Sequence, residues 1–321
     1  MSKIKVGIIG AGPIAEEYIK IFSKNSSTNV AGIVGRTKKN SKILSLKYNI
    51  GFYGNKISEL LIHDLDIIIV AVDILNTINV AKEISNFSGL VLIEKPLGVN
   101  HEETKKILKI LNSNKQNCFV ALNRRFYDNI LFAKKILKKD KSKKIISVVD
   151  QENTIKAKAI GHKKKVLQNW MFANSIHLID LLIYFADSQI LKISTIKKQI
   201  NNEKIILSNL YFKNNTTAVY NSIWNRPGPW SLTISTSKYY FNFSPIEILE
   251  YRKLNTNKKK IYKNITNNHK PGFKNMVNAL LRYYKVKRKN KNIIKNNTML
   301  NNLLNIDDYI NLSKIIKKIY F

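Results

Sequence analysis

The chain has one cysteine in 321 residues, and a single thiol excludes any intrachain disulfide. That thiol, Cys118, lies in the apolar run 117–122, which marks a buried strand residue rather than a nucleophile or a metal ligand. No apolar stretch is long enough to span a bilayer, and the first residues enter a strand-like run rather than a signal peptide. A cytoplasmic protein without a membrane partner is therefore expected. Histidine, cysteine and carboxylate residues nowhere fall at metal-ligand spacing, so no catalytic metal is expected. Acidic residues are also scarce: 21 Asp and Glu stand against 55 Lys and Arg, a formal net charge of +34. An excess of that size can signal a polyanion partner. Only seven of those cations are arginine, however, and lysine, asparagine and isoleucine recur in every region of the chain. Genome composition accounts for this bias more simply, and nucleic acid is not expected as a partner. The densest basic stretch, 285–295, is where a polyanion site would be sought.

What the chain does have begins at Val6-Gly7-Ile8-Ile9-Gly10-Ala11-Gly12-Pro13-Ile14-Ala15. A short apolar run gives way to a glycine-rich turn and then to an amphipathic pattern. Gly10 permits the tight turn, Gly12 lets the backbone approach a pyrophosphate, and the small Ala15 lets helix and strand pack closely. Amides at the helix start, from Ile14 onward, would face the phosphates, with Pro13 beside them at the first helical position. A nicotinamide dinucleotide site is the expectation.

Strand-like runs follow at 3–9, 29–35, 66–72, 89–94 and 117–123, with a weaker one near 51–53. Helical patterns at 13–24, 40–48, 77–85 and 102–112 separate them. Ile14, Tyr18, Ile21 and Phe22 share one helix face, as a sheet-covering helix requires. Strands at helix-length intervals imply parallel βαβ units and a doubly wound Rossmann sheet over 1–123. From 124 the pattern changes. Helices at 129–138 and 175–185 flank a strand at 144–151, and strand-like runs then follow at 191–197, 204–212, 217–224, 230–235 and 239–243. Short turns between consecutive strands indicate an α+β domain over 124–321 with a large open antiparallel sheet. Helical patterns at 272–284 and 306–319 close it.

Two constellations could carry chemistry. Glu94-Lys95-Pro96 stands at the carboxyl end of the fifth strand, the edge that faces ligand in open α/β sheets. A partly desolvated lysine there could exchange a proton with a substrate hydroxyl. In the second, Asn174, His177 and Asp180 fall three apart on one face of an otherwise apolar helix. Such a stripe needs polar partners, which either a substrate or a neighbouring side chain supplies. Arg124, Arg125 and Tyr127 follow the last parallel strand, and Trp224 opens a turn, 224–230, that could form a stacking wall for a sugar.

Together these motifs, with Asn123-Arg124-Arg125-Phe126 and Pro271-Gly272-Phe273, resemble the glucose–fructose oxidoreductase/inositol dehydrogenase/MocA (Gfo/Idh/MocA) family across almost the whole chain. The resemblance implies hydride transfer between a nicotinamide cofactor and a carbinol or carbonyl carbon of a sugar, nucleotide-sugar or cyclitol. It assigns proton transfer to Lys95 and assistance at the substrate carbon to His177, with Lys95-Pro96 as a possible cis bond. It also implies a homodimer or homotetramer. Val72 and Glu94 are expected beside the cofactor, and Arg125, Tyr127, Asn174, Asp180 and Trp224 beside the substrate. The chain departs from the family pattern where Ala173 and Ser175 replace an aspartate and a glycine, and where the segment 72–77 lacks the usual threonine-proline. Those departures leave open a cofactor-binding protein without turnover. A polyanion-binding protein on the same fold is the other alternative. At the end of the second strand Gly35 stands where an acidic residue would accept the ribose hydroxyls of NAD. Arg36 and Thr37 instead offer contacts to a 2′-phosphate, so NADP is expected ahead of NAD.

Overall fold

In a computed structural model that describes residues 2–256, 258–264, 269–289 and 302–321, the alternating first part of the chain becomes eleven elements. They are β1 (Ile4–Ile9), α1 (Pro13–Ser23), β2 (Thr28–Val34), α2 (Lys38–Tyr48), β3 (Phe52–Gly54), α3 (Ile57–Leu61), β4 (Ile67–Val70), α4 (Thr77–Glu83), β5 (Leu90–Glu94), α5 (His101–Ile110) and β6 (Cys118–Ala121). Then come α6 (Asp128–Lys139), β7 (Ile145–Glu152), α7 (Thr154–Ala159), α8 (Lys164–Gln168) and α9 (Ile176–Ala186). Seven strands follow: β8 (Ile190–Ile200), β9 (Glu203–Phe212), β10 (Thr217–Trp224), β11 (Trp230–Ser235), β12 (Tyr239–Phe243), β13 (Ile248–Lys253) and β14 (Lys260–Lys263). The tail carries α10 (Phe273–Lys289), β15 (Leu304–Asn305) and α11 (Ile306–Tyr320).

Two compact units result, one of Met1–Asn123 with Thr266–Asn311, the other of Arg124–Ile265 with Leu312–Phe321. In the first, the sheet order is β15-β6-β5-β4-β1-β2-β3, and every pairing is parallel except the antiparallel edge strand β15 on β6. The order reverses between β1 and β4, which is where open α/β sheets open a ligand crevice at the strand carboxyl ends. β4 (Ile-Ile-Ile-Val) is buried along its whole length and β5 as far as Ile93, as parallel strands covered on both faces are. α1 turns Tyr18, Ile19 and Phe22 inward with no exposed surface. At the start of α5, Asn100 accepts the Glu103 amide at 2.9 Å while the Glu103 carboxylate accepts the Val99 amide at 2.7 Å, a reciprocal cap.

Residues 266–311, expected above as part of a second domain over 124–321, cluster with the first unit. α10 brings an apolar stripe, Met276, Val277 and Leu280, that is fully buried there. Phe273 packs on Tyr18 of α1 at 5.1 Å between ring centroids, and Tyr283 packs on Phe119 of β6 at 4.9 Å. Nothing in an amphipathic pattern says which sheet it covers, so the return of the tail is invisible in sequence. The basic stretch 285–295 passes beyond the described residues after Lys289.

The second unit holds an eight-stranded sheet in the order β14-β13-β12-β11-β7-β10-β9-β8. It is antiparallel except at β7–β10, which run parallel because β7 is joined to its neighbours through helices rather than a hairpin. β9 and β10 alternate buried and exposed positions, the signature of a sheet with one covered face. α9 lies against β7 and β10, and Leu178, Ile179, Leu181 and Leu182 are fully buried. Ile145, Leu207, Tyr211 and Val219 are exposed at the alternate positions of the same strands. Among the described residues no helix is long and apolar enough to cross a membrane.

Candidate functional site

In the first unit the site is made of backbone. Gly10 has φ +123°, and a Cβ there would lie 2.1 Å from the Ala71 carbonyl oxygen, so only glycine fits the turn. Its amide donates to the Val34 carbonyl at 2.7 Å, which ties the loop to β2. Gly12 differs: it is exposed, and a Cβ would meet nothing within 4 Å. It is the N-cap of α1 without a side-chain cap, with Pro13 exposed beside it and Ile14 half-buried. Amides at a helix start that lack a side-chain acceptor, above open space, suit an anion. The residues present therefore fit a dinucleotide pyrophosphate.

Gly35, at the end of β2, is also required by space. A Cβ would stand 2.7 Å from that of Ala11, which explains why no acidic side chain occupies this place. Arg36 and Thr37 beyond it are exposed. Thr37 caps α2 by position, without a hydrogen bond from its side chain. Lys38 lies over the Tyr53 ring at 5.8 Å. Val72, past the end of β4, is half-buried.

The Lys95-Pro96 bond is cis. The half-buried Glu94 accepts the Tyr18 hydroxyl at 2.6 Å. Burial raises the Glu94 pKa, against the hydrogen bond from Tyr18 and the neighbouring charge of Lys95, which lower it. Beyond the proline, the buried Leu97 amide donates to the Tyr309 hydroxyl of α11 at 3.1 Å. The segment carrying Lys95 is thus held from α1 on one side and from the tail on the other. Cys118 is buried in β6, and desolvation pushes its thiol up to about 12.

In the second unit the site is made of side chains. A π-turn, Met171–Ser175, precedes α9, and its Asn174 amide donates to both oxygens of the Glu152 carboxyl, at 3.1 and 2.8 Å. Ser175 Oγ donates to the same group at 3.0 Å and Trp170 Nε1 at 2.6 Å. Two residues back on the same face of β7, Asp150 accepts Trp230 Nε1 at 2.6 Å and the Tyr220 hydroxyl. His177 is buried, with its ring edge-on to Trp230 at 6.4 Å between centroids. Arg124 lies over the same indole at 4.1 Å, and its Nε is buried without a hydrogen-bond partner among the described residues.

The stripe read from the sequence is therefore divided among three partners. Asn174 goes to Glu152, His177 to the neighbourhood of Trp230, and Asp180 to Arg125. Arg125 and Asp180 form a buried bidentate pair, with Nε to Oδ2 at 2.8 Å and Nη2 to Oδ1 at 2.5 Å. Each fills the other's strongest hydrogen-bonding capacity, which locks the turn at 123–126 to α9. Tyr127 is buried at the start of α6. Trp224 is buried too, donating Nε1 to Ser222 Oγ at 2.9 Å, with Lys204 over its ring at 4.7 Å. Asp150, Glu152, Trp170 and Tyr320 escaped sequence reasoning, whereas Trp230 closes the aromatic turn read there as a stacking wall. The signal for the first two was present: Ile146 and Val148 mark the inward face of β7, and the same period places Asp150 and Glu152 on it. Among the described residues no group of three or more His, Cys, Asp or Glu could hold a metal ion.

Residues 4–122 match the model of an oxidoreductase family with an NAD-binding Rossmann fold, Gfo/Idh/MocA. No curated protein matches the sequence. Solved structures share the fold over nearly the full chain. A dehydrogenase from Chromobacterium violaceum is similar at TM-score 0.81 and 14% identity, over 99% of this chain and 94% of that one. UDP-N-acetylglucosamine 3-dehydrogenase GnnA from Acidithiobacillus ferrooxidans is similar at TM-score 0.73 and 11% identity, over 99% and 97%. A super-repressor mutant of Gal80p from Saccharomyces cerevisiae is similar at TM-score 0.78 and 14% identity, over 99% and 95%. Identities this low carry the fold and not the reaction. Over residues 4–122 the chain is similar to the NAD-binding Rossmann domain of the Gfo/Idh/MocA oxidoreductase family.

Proposed function

We propose that the protein is an NAD(P)-dependent oxidoreductase acting on a carbinol or carbonyl carbon of a sugar, nucleotide-sugar or cyclitol. The glycine loop carries this reading: a turn that admits no Cβ at Gly10, open space at Gly12, and a helix start without a side-chain cap. Gly10, Gly12, Pro13 and Ile14 would hold the pyrophosphate. Arg36 and Thr37, exposed where no acid can stand at Gly35, favour a 2′-phosphate and hence NADP over NAD. Val72 and Glu94 complete the cofactor side. When bound, the nicotinamide supplies or accepts the hydride. Lys95 holds or releases the proton of the substrate hydroxyl, and His177 assists at the same group.

On the substrate side, Asn174 and His177 keep the roles that the family resemblance implies. Arg125 and Asp180, engaged with each other, position α9, and Arg124 on Trp230 supplies the guanidinium available to substrate. The similar nucleotide-sugar dehydrogenase supports a substrate of that kind. A homodimer or homotetramer in the cytoplasm goes with this reading. A second reading, cofactor binding without turnover, is favoured by Ala173 standing where the family pattern has aspartate.

The test is a fluorescence titration of the purified protein with NADPH and NADH at low and physiological salt. Salt-resistant NADPH binding with much weaker NADH binding is expected. Failure of both nucleotides to bind sinks the oxidoreductase reading. Turnover of a sugar or nucleotide-sugar panel that is lost in Lys95→Ala, with NADPH binding retained, separates the first reading from the second.

A further inference from the structure

The polar interior of the second unit contains more than the family resemblance assigns. Glu152 and Asp150 lie two apart on the inward face of β7 and are hydrogen-bonded to each other. Glu152 is 1% exposed and Asp150 0%, so neither carboxyl is solvated. Donors converge on both. Glu152 takes Asn174, Ser175 and Trp170; Asp150 takes Trp230 Nε1 and the hydroxyls of Tyr220 and Tyr320, the latter at 3.4 Å. Tyr320, from α11, also meets Tyr220 at 2.7 Å, Ser222 at 2.8 Å and Ser175 at 3.1 Å.

Two adjacent buried carboxyl groups cannot both ionise at low cost, and a hydrogen bond between them needs one proton. Both carboxyl groups have only N–H and O–H donors around them, so the single proton lies between the two.

We propose that Asp150 and Glu152 share one proton at neutral pH and act together as the positioning unit for the π-turn and for His177, two residues beyond it. This rests on the reading of His177 given under the proposed function. Loss of the shared proton would place two charges in one dry pocket and loosen the turn that Glu152 anchors. Burial, and then the charge of Asp150, raise the Glu152 pKa to about 9, so that loss belongs to the alkaline range.

Other charged and titratable groups surround the pair: His162 meets the Trp170 ring edge-on at 5.0 Å between centroids. Arg124 lies over Trp230 and is close enough to Glu152 for their charges to interact. Lys204 of β9 lies over Trp224. Tyr220 of β10 and Tyr320 of α11 are both buried, and their pKa values are raised by that burial and by Asp150. From α9 come His177 and Asp180, the latter paired with Arg125. None of these supplies a cation in hydrogen-bond contact with Glu152 to replace the shared proton.

The chain reports on this network itself. All three of its tryptophans donate into it: Trp170 to Glu152, Trp230 to Asp150 and Trp224 to Ser222, the last in contact with Tyr320. Tryptophan emission of the full-length protein, excited selectively over tyrosine, is to be followed from neutral pH upward. One transition centred near 9 is expected in the unmodified protein. Glu152→Gln, which keeps an acceptor and a donor in the same shape, is expected to abolish it. Asp150→Asn is expected to move it down by roughly one to three pH units. No transition before the exposed tyrosines titrate, or one that persists in Glu152→Gln, overturns the shared proton. Should Glu152→Gln fail to fold, the unmodified protein and Asp150→Asn still decide the matter.

The positioning role has its own readout. The ring Cε1 resonance of His177, assigned with His177→Asn, is expected to show an inflection at the same alkaline pH and to lose it in Glu152→Gln. A His177 resonance blind to that step overturns the role. Both measurements are independent of nucleotide, whereas the proposed function stands or falls on NADPH binding at neutral pH, so the two failures are distinguishable.

Discussion

The two units build their sites by different means. In the first, the parts that would meet a nucleotide are backbone: a glycine with φ +123°, a second glycine over open space, and the start of a helix. In the second, the corresponding parts are side chains on one face of β7, one π-turn and one aromatic turn, joined by hydrogen bonds. The sheets explain the contrast. A parallel strand covered on both faces, such as β4, has no inward position to spare for a polar group. Its chemistry moves to the loops at the strand ends. A sheet with one covered face presents every second residue to the interior, and β7 spends two of those positions on carboxyl groups. Substitution should therefore fail differently in the two units.

The largest effect is expected in the side-chain-built unit. Asp180→Asn leaves the Arg125 guanidinium buried and without its counter-charge. Breaking such a pair from one side costs about 3–5 kcal/mol. Denaturant unfolding of the variant should show that loss. A variant as stable as the parent would mean that Arg125 finds a second partner, and that the pair is not what holds α9 to the turn at 123–126.

In the backbone-built unit, two glycines two residues apart should separate stability from binding. Gly10→Ala places a Cβ against the Ala71 carbonyl at an unfavourable φ, and roughly 2–3 kcal/mol of destabilisation is expected. Gly12→Ala meets no atom within 4 Å, so stability should hardly change. A methyl group on the loop's open side should instead weaken NADPH binding about tenfold, roughly 1.4 kcal/mol. Equal losses of stability in the two variants would remove the distinction between a glycine needed by the turn and one needed by a ligand.

The same contrast explains what the sequence disclosed. The glycine loop, the alternation of strands with helices and the position of Lys95 were legible, because backbone geometry restricts residue type locally. Gly35 was legible as a missing acid, though its cause, the nearby Ala11 Cβ, needed coordinates. In the second unit, β10 and β11 were legible with their boundaries, since a one-sided sheet imprints its period. The partners of Asn174, His177 and Asp180 were not, because a helical stripe names its own face and not the residues opposite. Arg125 looked free for a substrate on residue type alone, and only the fold shows Asp180 against it. Trp224 looked like an exposed wall and is 6% exposed, since its turn begins at the inward end of β10. The tail offered no sign of its destination, and with it went Tyr309 and Tyr320, which serve different units from one helix.

Tyr309 gives the smallest of these effects and sharpens the comparison most, because it is a side-chain support within the backbone-built unit. Its hydroxyl accepts the Leu97 amide two residues beyond Lys95, and Leu97 and Tyr309 are both fully buried. Tyr309→Phe removes the acceptor without opening a large cavity, and a buried amide left unpaired costs about 1–3 kcal/mol. A fall in melting temperature of a few degrees is expected, with NADPH affinity unchanged, since the glycine loop lies on other strands. If stability holds while affinity falls, the hydroxyl serves the nucleotide rather than the segment carrying Lys95. The first unit would then also depend on a side chain drawn from the far end of the sequence, and the division between backbone-built and side-chain-built halves would lose its sharpest boundary.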